Sequence, residues 1–400
     1  MFQPLKGVRV IDLTQVLAGP YATYQLALMG AEVIKIEPPG GGDWTRSGGH
    51  DTALGKAGMG LSYLTQNANK KSVVIDLKQL EGIELVKTMV GNADVFIENY
   101  RPGVAARLGL SFEVLKLIKP DLVYCSISAY GQDGPLGARP AYDHVIQGMC
   151  GIMQTTGTPE SGPTKVGAPY VDYATGMNGA FAVVCALHEA RRTGEALHVD
   201  VAMLDTSLLL MSSLMTSVLS AGWEPTPSGN AAWSGSPSSG AFNTTDGILM
   251  VAANNDRQFR ALCKALGRED ILADLRWADP QQRGQHSAAL REVLDHIFST
   301  ESAAHWEELL NRGGVSSARV RGLGQVLREE QAQVRGIMAE MTLPGRAAPV
   351  HVPTLGFKVN GEAVGPNTAP PTLGGDTDEV LASIGVDVQR IESLRDKGVI

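Results

Sequence analysis

Short β-branched runs alternate with stretches of helical periodicity through the first half of the chain. Residues 8–13 form a run centred on Val10 and Ile11, a Gly19-Pro20 turn leads into helical residues 21–28, and residues 31–37 are a second β-branched run. Strand, helix and strand within about 30 residues predict a βαβ unit, with parallel strands and a right-handed crossover. The pattern continues with strands at 72–77, 94–98 and 122–128 and helices at 80–90 and 104–108. It predicts an α/β fold with a Rossmann-like, open, doubly wound parallel sheet, whose ligands belong in the loops after the strands. Those loops, at 15–20, 38–43, 99–103 and 130–135, are rich in Gly, Pro and polar groups. None has the Gly-x-Gly-x-x-Gly or P-loop spacing, which argues against the usual mode of NAD binding.

Further on, residues 177–190 read as an apolar helix rich in Ala, Val and Leu, and Asp172 stands at or just before its start, between Tyr170 and Tyr173. Two roles compete for this aspartate. It is a helix N-cap, or it is a chemically active carboxylate that the N–H groups of a helix N-terminus hold ionised. From Glu224 to Gly240 the chain turns to Gly, Ser, Pro and Asn, the composition of a flexible linker or of a loop that covers a ligand. Residues 242–251 predict strand, turn and strand, helices follow from about 256 to 327, and residues 371–381 lead from a turn into an amphipathic helix. The segment after the linker reads as a second, smaller α/β unit.

With 44% hydrophobic and 19% charged residues in 400, the composition is that of an ordinary soluble enzyme. The net charge of −8 and the lack of any dense Lys/Arg run argue against a nucleic-acid or anionic-membrane surface. With no signal-peptide layout and no apolar run near the roughly 20 residues that span a bilayer, a cytoplasmic location is expected. Cys125, Cys150, Cys185 and Cys263 are scattered through apolar contexts and are expected to be free, buried thiols. Neither they nor the eight histidines show metal-ligand spacing, so no metal site is expected.

Several short motifs occur in order along nearly the whole chain: Leu5-Lys6-Gly7-Val8, Ala18-Gly19-Pro20, Gly30-Ala31-Glu32-Val33-Ile34-Lys35, Gly42-Asp43, Asn69-Lys70-Lys71-Ser72, Asp94-Val95-Phe96-Ile97-Glu98-Asn99, Tyr130-Gly131-Gln132-Asp133-Gly134-Pro135 and the stretch from Tyr170 to Gly176. Taken together they resemble the family III CoA-transferases, the CaiB/BaiF family that includes formyl-CoA transferase and crotonobetainyl-CoA:carnitine CoA-transferase. The resemblance implies a large CoA-binding domain from residues 1–200 and 350–400, a linker at 201–225, a small α/β domain at 226–330 and a return linker at 331–349. It also implies an interlocked, ring-like homodimer. No cofactor is held permanently; the CoA thioester is a substrate, together with a small carboxylic acid.

Under the same resemblance Asp172 is the nucleophile, and CoA moves through aspartyl anhydride and aspartyl-CoA thioester intermediates. Gln15, Tyr142, Gly235 and Gly240 belong to the substrate pocket, the last two in the nearest counterpart of the family's polyglycine loop. CoA contacts fall to Val16, Leu17, Ala18, Asn99, Tyr100 and Arg107, with Lys71 and Arg101, and Lys70 beside them, as further phosphate ligands. Arg46, Arg101 and Arg139 are candidates for a distal carboxylate of the acid. Racemases of the family carry a histidine directly before the aspartate at the segment holding Asp143, where this chain has Tyr142. A phenol with a pKa near 10 is a poor base at neutral pH, and His144 is displaced and expected to be structural or exposed. A 2-methylacyl-CoA racemase or epimerase and a non-catalytic CoA-binding subunit are the alternatives.

Overall fold

The computed structural model describes residues 2–400. The chain forms two compact units. The larger takes the chain as far as Met153, then Lys165–Glu224 and Glu330–Ile400; the smaller takes Gln154–Thr164 and Pro225–Glu329.

The larger unit is built on β1 (Arg9–Asp12), α1 (Ala18–Leu28), β2 (Glu32–Glu37), β3 (Lys70–Val74), α2 (Leu80–Val90), β4 (Val95–Glu98) and β5 (Val123–Ser128). These are followed by α3 (Asp143–Met149), α4 (Tyr170–Thr193), β6 (Leu197–Ala202), α5 (Met203–Leu209) and α6 (Ser212–Ala221). The six strands are all parallel, in the order β3-β2-β1-β4-β5-β6. Alternation along each strand divides the core between the two faces of the sheet. Val10, Val95, Ile97, Val123 and Cys125 pack with Ala22 and Leu26 of α1 and Ala180, Val183 and Leu187 of α4. Ile11, Phe96 and Tyr124 turn the other way, onto Val86 and Met89 of α2 and onto Leu381 and Leu394 near the C-terminus.

Two features depart from the sequence reading. β6 lies where the sequence predicts no strand, because His198 and Asp200 break its apolar run; the alternation of half-buried and exposed positions there is that of an edge strand. α4 begins at Tyr170 and not near Met177, because Gly176 and Gly179 weaken the local helical signal. Both glycines are needed for packing. A Cβ on Gly176 would fall 2.7 Å from the Ala18 carbonyl oxygen, and one on Gly179 would fall 3.1 Å from Ile127 Cδ1.

Residues 201–225, expected as a linker, hold the end of β6 and the helices α5 and α6, and α5 buries Met203, Thr206 and Ser207. Among the described residues no single helix is long and apolar enough to cross a membrane; α5 and α6 pass that test by length and composition only as a pair bent by 78°.

In the smaller unit β7 (Gly240–Asn243), β8 (Ile248–Ala252) and β9 (Ser316–Arg319) form an antiparallel sheet. Phe242, Leu249 and Val251 pack with residues of α7 (Asp256–Ala265), α8 (Ser287–Phe298) and α9 (Ala303–Arg312), among them Phe259, Leu294 and Trp306.

Candidate active site

Asp172 lies in the first turn of α4 as its third residue, three positions beyond where a cap stands. The N-cap is Pro169, whose side chain accepts nothing, so the first N–H groups of the helix need a partner from elsewhere. Asp143 supplies it: its Oδ2 accepts hydrogen bonds from the backbone N–H of Val171 at 2.8 Å and of Asp172 at 3.2 Å. Gln147, one turn along α3, donates Nε2 to the other Asp143 oxygen at 2.6 Å and accepts from Val166 N at 2.8 Å. The cap is thus borrowed from a helix 29 residues earlier, which frees the Asp172 side chain.

The expectation that the helix N-terminus holds Asp172 ionised is corrected by its surroundings. Burial, and then the negative charge of Asp143, push its carboxyl up to about 7. The group is therefore divided between acid and carboxylate near neutral pH.

Asp172 lines a cavity of about 320 Å³ together with residues 15–18, Asn99, Tyr100, Arg101, Arg139, Tyr142 and Met203. It is the only carboxylate among the described residues that line it. The cavity lies beyond the carboxyl ends of β1 and β4, neighbouring strands whose crossovers run to opposite sides of the sheet. This is the switch point where open α/β sheets bind ligands.

The β1 loop that forms one wall is pinned on its backbone. Asn99 Oδ1 accepts from Gln15 N at 2.9 Å and Asn99 Nδ2 donates to Gln15 O at 2.8 Å, so this amide is spent on the protein. Its expected contact with CoA is confined to its presence in the lining. Val16 has φ of 75°, a left-handed conformation that costs a β-branched residue roughly 1–3 kcal/mol. Val16 N donates to Asp43 Oδ2 at 3.1 Å, and Gln66 Nε2 donates to Val16 O.

Under this loop lies a buried network of three cations and three carboxylates. Lys35 pairs with Asp43 at 3.1 Å, Lys70 with Asp12 at 3.2 Å and Arg46 with Glu37 at 2.6 Å. Lys70 also donates to Pro20 O at 2.9 Å, and Lys35 to Thr14 O at 2.6 Å. Burial alone would raise the Asp12 carboxyl; the ammonium groups of Lys70 and Lys35 and the Thr14 and Thr23 hydroxyls outweigh it and hold the group below its usual range.

Several expected ligands are thereby removed from the site. Lys70 and Arg46 are internal structural charges. Lys71 is held in ion pairs with Glu32 and Glu379 at 3.1 and 2.8 Å and does not line the cavity. Arg107 is exposed at the end of a short helix and is likewise outside the lining. Gly235 and Gly240 belong to the smaller unit. Gln15, Val16, Leu17, Ala18, Asn99, Tyr100, Arg101 and Tyr142 are brought together with Asp172 as expected. Of the thiols, Cys125, Cys150 and Cys263 are buried, but Cys185 is exposed on α4.

Sequence reasoning missed Ser128, Ala129 and Met203 in the lining and the capping role of Asp143. Ser128 and Met203 sit at the end of β5 and just after β6, so placing β6 correctly would have pointed to them. His144 is exposed, with its ring 6.4 Å from that of Tyr142 and nearly parallel to it, and does not line the cavity.

Comparison with known proteins places this fold in a family. The chain is 35% identical to succinyl-CoA:glutarate CoA-transferase of Mus musculus over 399 residues, covering 100% of this chain and 90% of that protein. It is 38% identical to succinate–glutarate CoA-transferase of Agrobacterium fabrum, covering 87% and 89%, and 35% identical to acetyl-CoA:oxalate CoA-transferase of Acetobacter aceti, covering 86% and 88%. Among solved structures, a CaiB/BaiF family protein from Brucella suis superposes with a TM-score of 0.84 at 31% identity, covering 96% of this chain and 100% of that one. The description CoA-transferase family III matches residues 5–377. With this match over almost the whole chain and a six-stranded parallel sheet whose switch-point cavity is lined by Asp172, the protein belongs to the CoA-transferases of family III.

Proposed function

We propose that the chain carries CoA from an acyl-CoA to a small carboxylic acid with Asp172 as the acyl acceptor, and that dicarboxylic acids are its substrates. The observation that carries the mechanism is the position of Asp172 as the sole carboxylate among the described residues that line the switch-point cavity. A carboxylate oxygen of Asp172 attacks the thioester carbonyl, and the C–S bond breaks to give a mixed anhydride and CoA thiolate. The thiolate attacks the Asp172 acyl carbon and expels the donor acid, leaving an aspartyl-CoA thioester. The acceptor carboxylate attacks that thioester to form a second anhydride and release thiolate. The thiolate then attacks the acceptor acyl carbon and restores Asp172. Each intermediate is an activated acyl group of comparable energy, and no net proton is consumed.

The reading of the acids draws on the names of the relatives, which act on succinate, glutarate and oxalate. Arg101 and Arg139 support it, since both line the cavity and neither guanidinium has an ion-pair partner among the described residues. Two such groups suit an anionic substrate and the phosphates of CoA.

Treatment with succinyl-CoA followed by hydroxylamine, with peptide mass analysis, should place a hydroxamate on Asp172. Full turnover with Asp172 unmodified would overturn the mechanism. Succinyl-CoA, acetyl-CoA and formyl-CoA tested against glutarate, oxalate and monocarboxylic acids identify the pair. A racemase would instead exchange the α-hydrogen of an acyl-CoA with deuterated solvent in the absence of any acid.

We also propose a homodimer. Met177 and Phe181 stand one turn apart on α4 and are exposed, as are Leu209, Leu210 and Leu219 on and beside α5 and α6, with Phe181 at 69% and Leu219 at 86%. Apolar groups so placed favour cover by a second copy. Light scattering after gel filtration tests this.

A further inference from the structure

The Gly42-Asp43 motif has no atom in the cavity lining, yet it reaches the cavity wall through one backbone bond. Asp43 is fully buried. Its Oδ1 accepts from Thr45 N at 3.0 Å and Thr45 Oγ1 at 2.8 Å, which fixes the side chain, and its Oδ2 accepts from Val16 N at 3.1 Å. Lys35 lies 3.1 Å from the same Oδ2 and donates to Thr14 O at 2.6 Å, so one ion pair grips the chain on both sides of Gln15. Asn99 brackets Gln15 itself, and Gln66 takes hold of Val16 O.

Val16 would leave its φ of 75° if released, because its branched Cβ disfavours the left-handed region. Relaxation there would swing the peptides on either side, and with them Gln15 and Leu17, both of which line the cavity that holds Asp172.

We infer that Asp43 is a positioning residue for CoA transfer: it holds Val16 in a conformation the chain does not adopt by itself and so sets the wall that faces the reacting groups. The inference rests on the switch-point cavity being the transfer site. It explains why an aspartate with no access to substrate belongs to the ordered motifs of the chain, and why the strain falls on a valine whose neighbours are in the lining.

The test is a double-mutant cycle on the full-length enzyme, with turnover per folded molecule measured by steady-state kinetics. Asp43→Asn weakens the pair with Lys35 and should lower kcat by about 30-fold while the KM for acyl-CoA moves less than about threefold. Glycine occupies the left-handed region without a Cβ penalty. Val16→Gly in the Asp43→Asn background should therefore recover about tenfold of the lost kcat. Independent multiplication of the two single effects, or an activity loss in Asp43→Asn that a smaller folded fraction accounts for entirely, would overturn the inference. If Asp43→Asn does not fold, Gln66→Leu, which releases Val16 from the other side, is read in the same cycle and by the same criterion. Hydroxylamine capture on wild-type enzyme is scored separately, so a failure to label Asp172 is distinguishable from a failure of the cycle.

Discussion

Asp143 caps the helix that carries Asp172 and also sets a second negative charge beside it. Its Oδ2 accepts from Val171 N and Asp172 N at 2.8 and 3.2 Å, while burial and then this same charge push Asp172 up to about 7. One side chain both fixes the helix turn that carries Asp172 and resists its ionisation.

Asp143→Asn keeps an acceptor for the helix N–H groups and removes the charge. In the native enzyme the acid limb of the kcat/KM profile should rise through about pH 7 with ionisation of Asp172, and in the variant it should move to lower pH. Asp143→Ala removes the acceptor as well and should cost about 1–2 kcal/mol of stability. An unmoved acid limb in Asp143→Asn would show that Asp143 acts on geometry alone.

Asp172→Asn should stabilise the protein, and the gain should depend on pH. A carboxyl raised in the folded chain keeps its proton after the unfolded chain has lost it near the ordinary value of about 3.9, so the folded state binds more protons in that interval. The contribution of this group to stability therefore falls as pH rises from about 4 to about 7 and is level above. The melting-temperature difference between variant and native protein should widen across that window and then stay constant. Glu98, also pushed up to about 7 by burial, titrates in both proteins and cancels in the difference. Transfer activity should be lost in the variant.

Gly176→Ala introduces a Cβ 2.7 Å from the Ala18 carbonyl oxygen, a backbone atom that cannot rotate away. The start of α1 must shift, at a cost of about 1–3 kcal/mol. Because Ala18 lines the cavity, turnover should fall as well. Denaturant titration and steady-state kinetics on the same sample measure both.

Lys70→Met leaves Asp12 without its nearest cation in a fully buried setting. Loss of one partner of such a pair costs about 3–5 kcal/mol. Urea unfolding should show this, and the KM for acyl-CoA should change little in the folded fraction, since Lys70 is not a phosphate ligand. A large KM effect with unchanged stability would contradict the structure.

Much of this protein is legible one segment at a time. The strand at 94–98 and the helix at 80–90 follow from periodicity that neighbouring residues impose on one another, and Leu80–Val90 is found as read. The ordered motifs led to the family, and with it to Asp172 and to the β1 and β4 loops, because these lie in continuous stretches at strand ends.

What tertiary structure alone decided is where charges and polar groups end. Lys70 and Lys71 are adjacent, yet one is sealed against Asp12, 58 residues away, and the other lies near the surface with Glu32 and Glu379. Asn99 spends its amide on Gln15, 84 residues distant, and Asp143 caps a helix it does not belong to. These outcomes depend on which groups converge from distant segments and on how fully that convergence excludes water. Hydropathy and periodicity act over a few residues, whereas desolvation and ion pairing are set by the assembled fold, and so the sequence singled out Asp172 while only the fold decided its proton affinity and its supports.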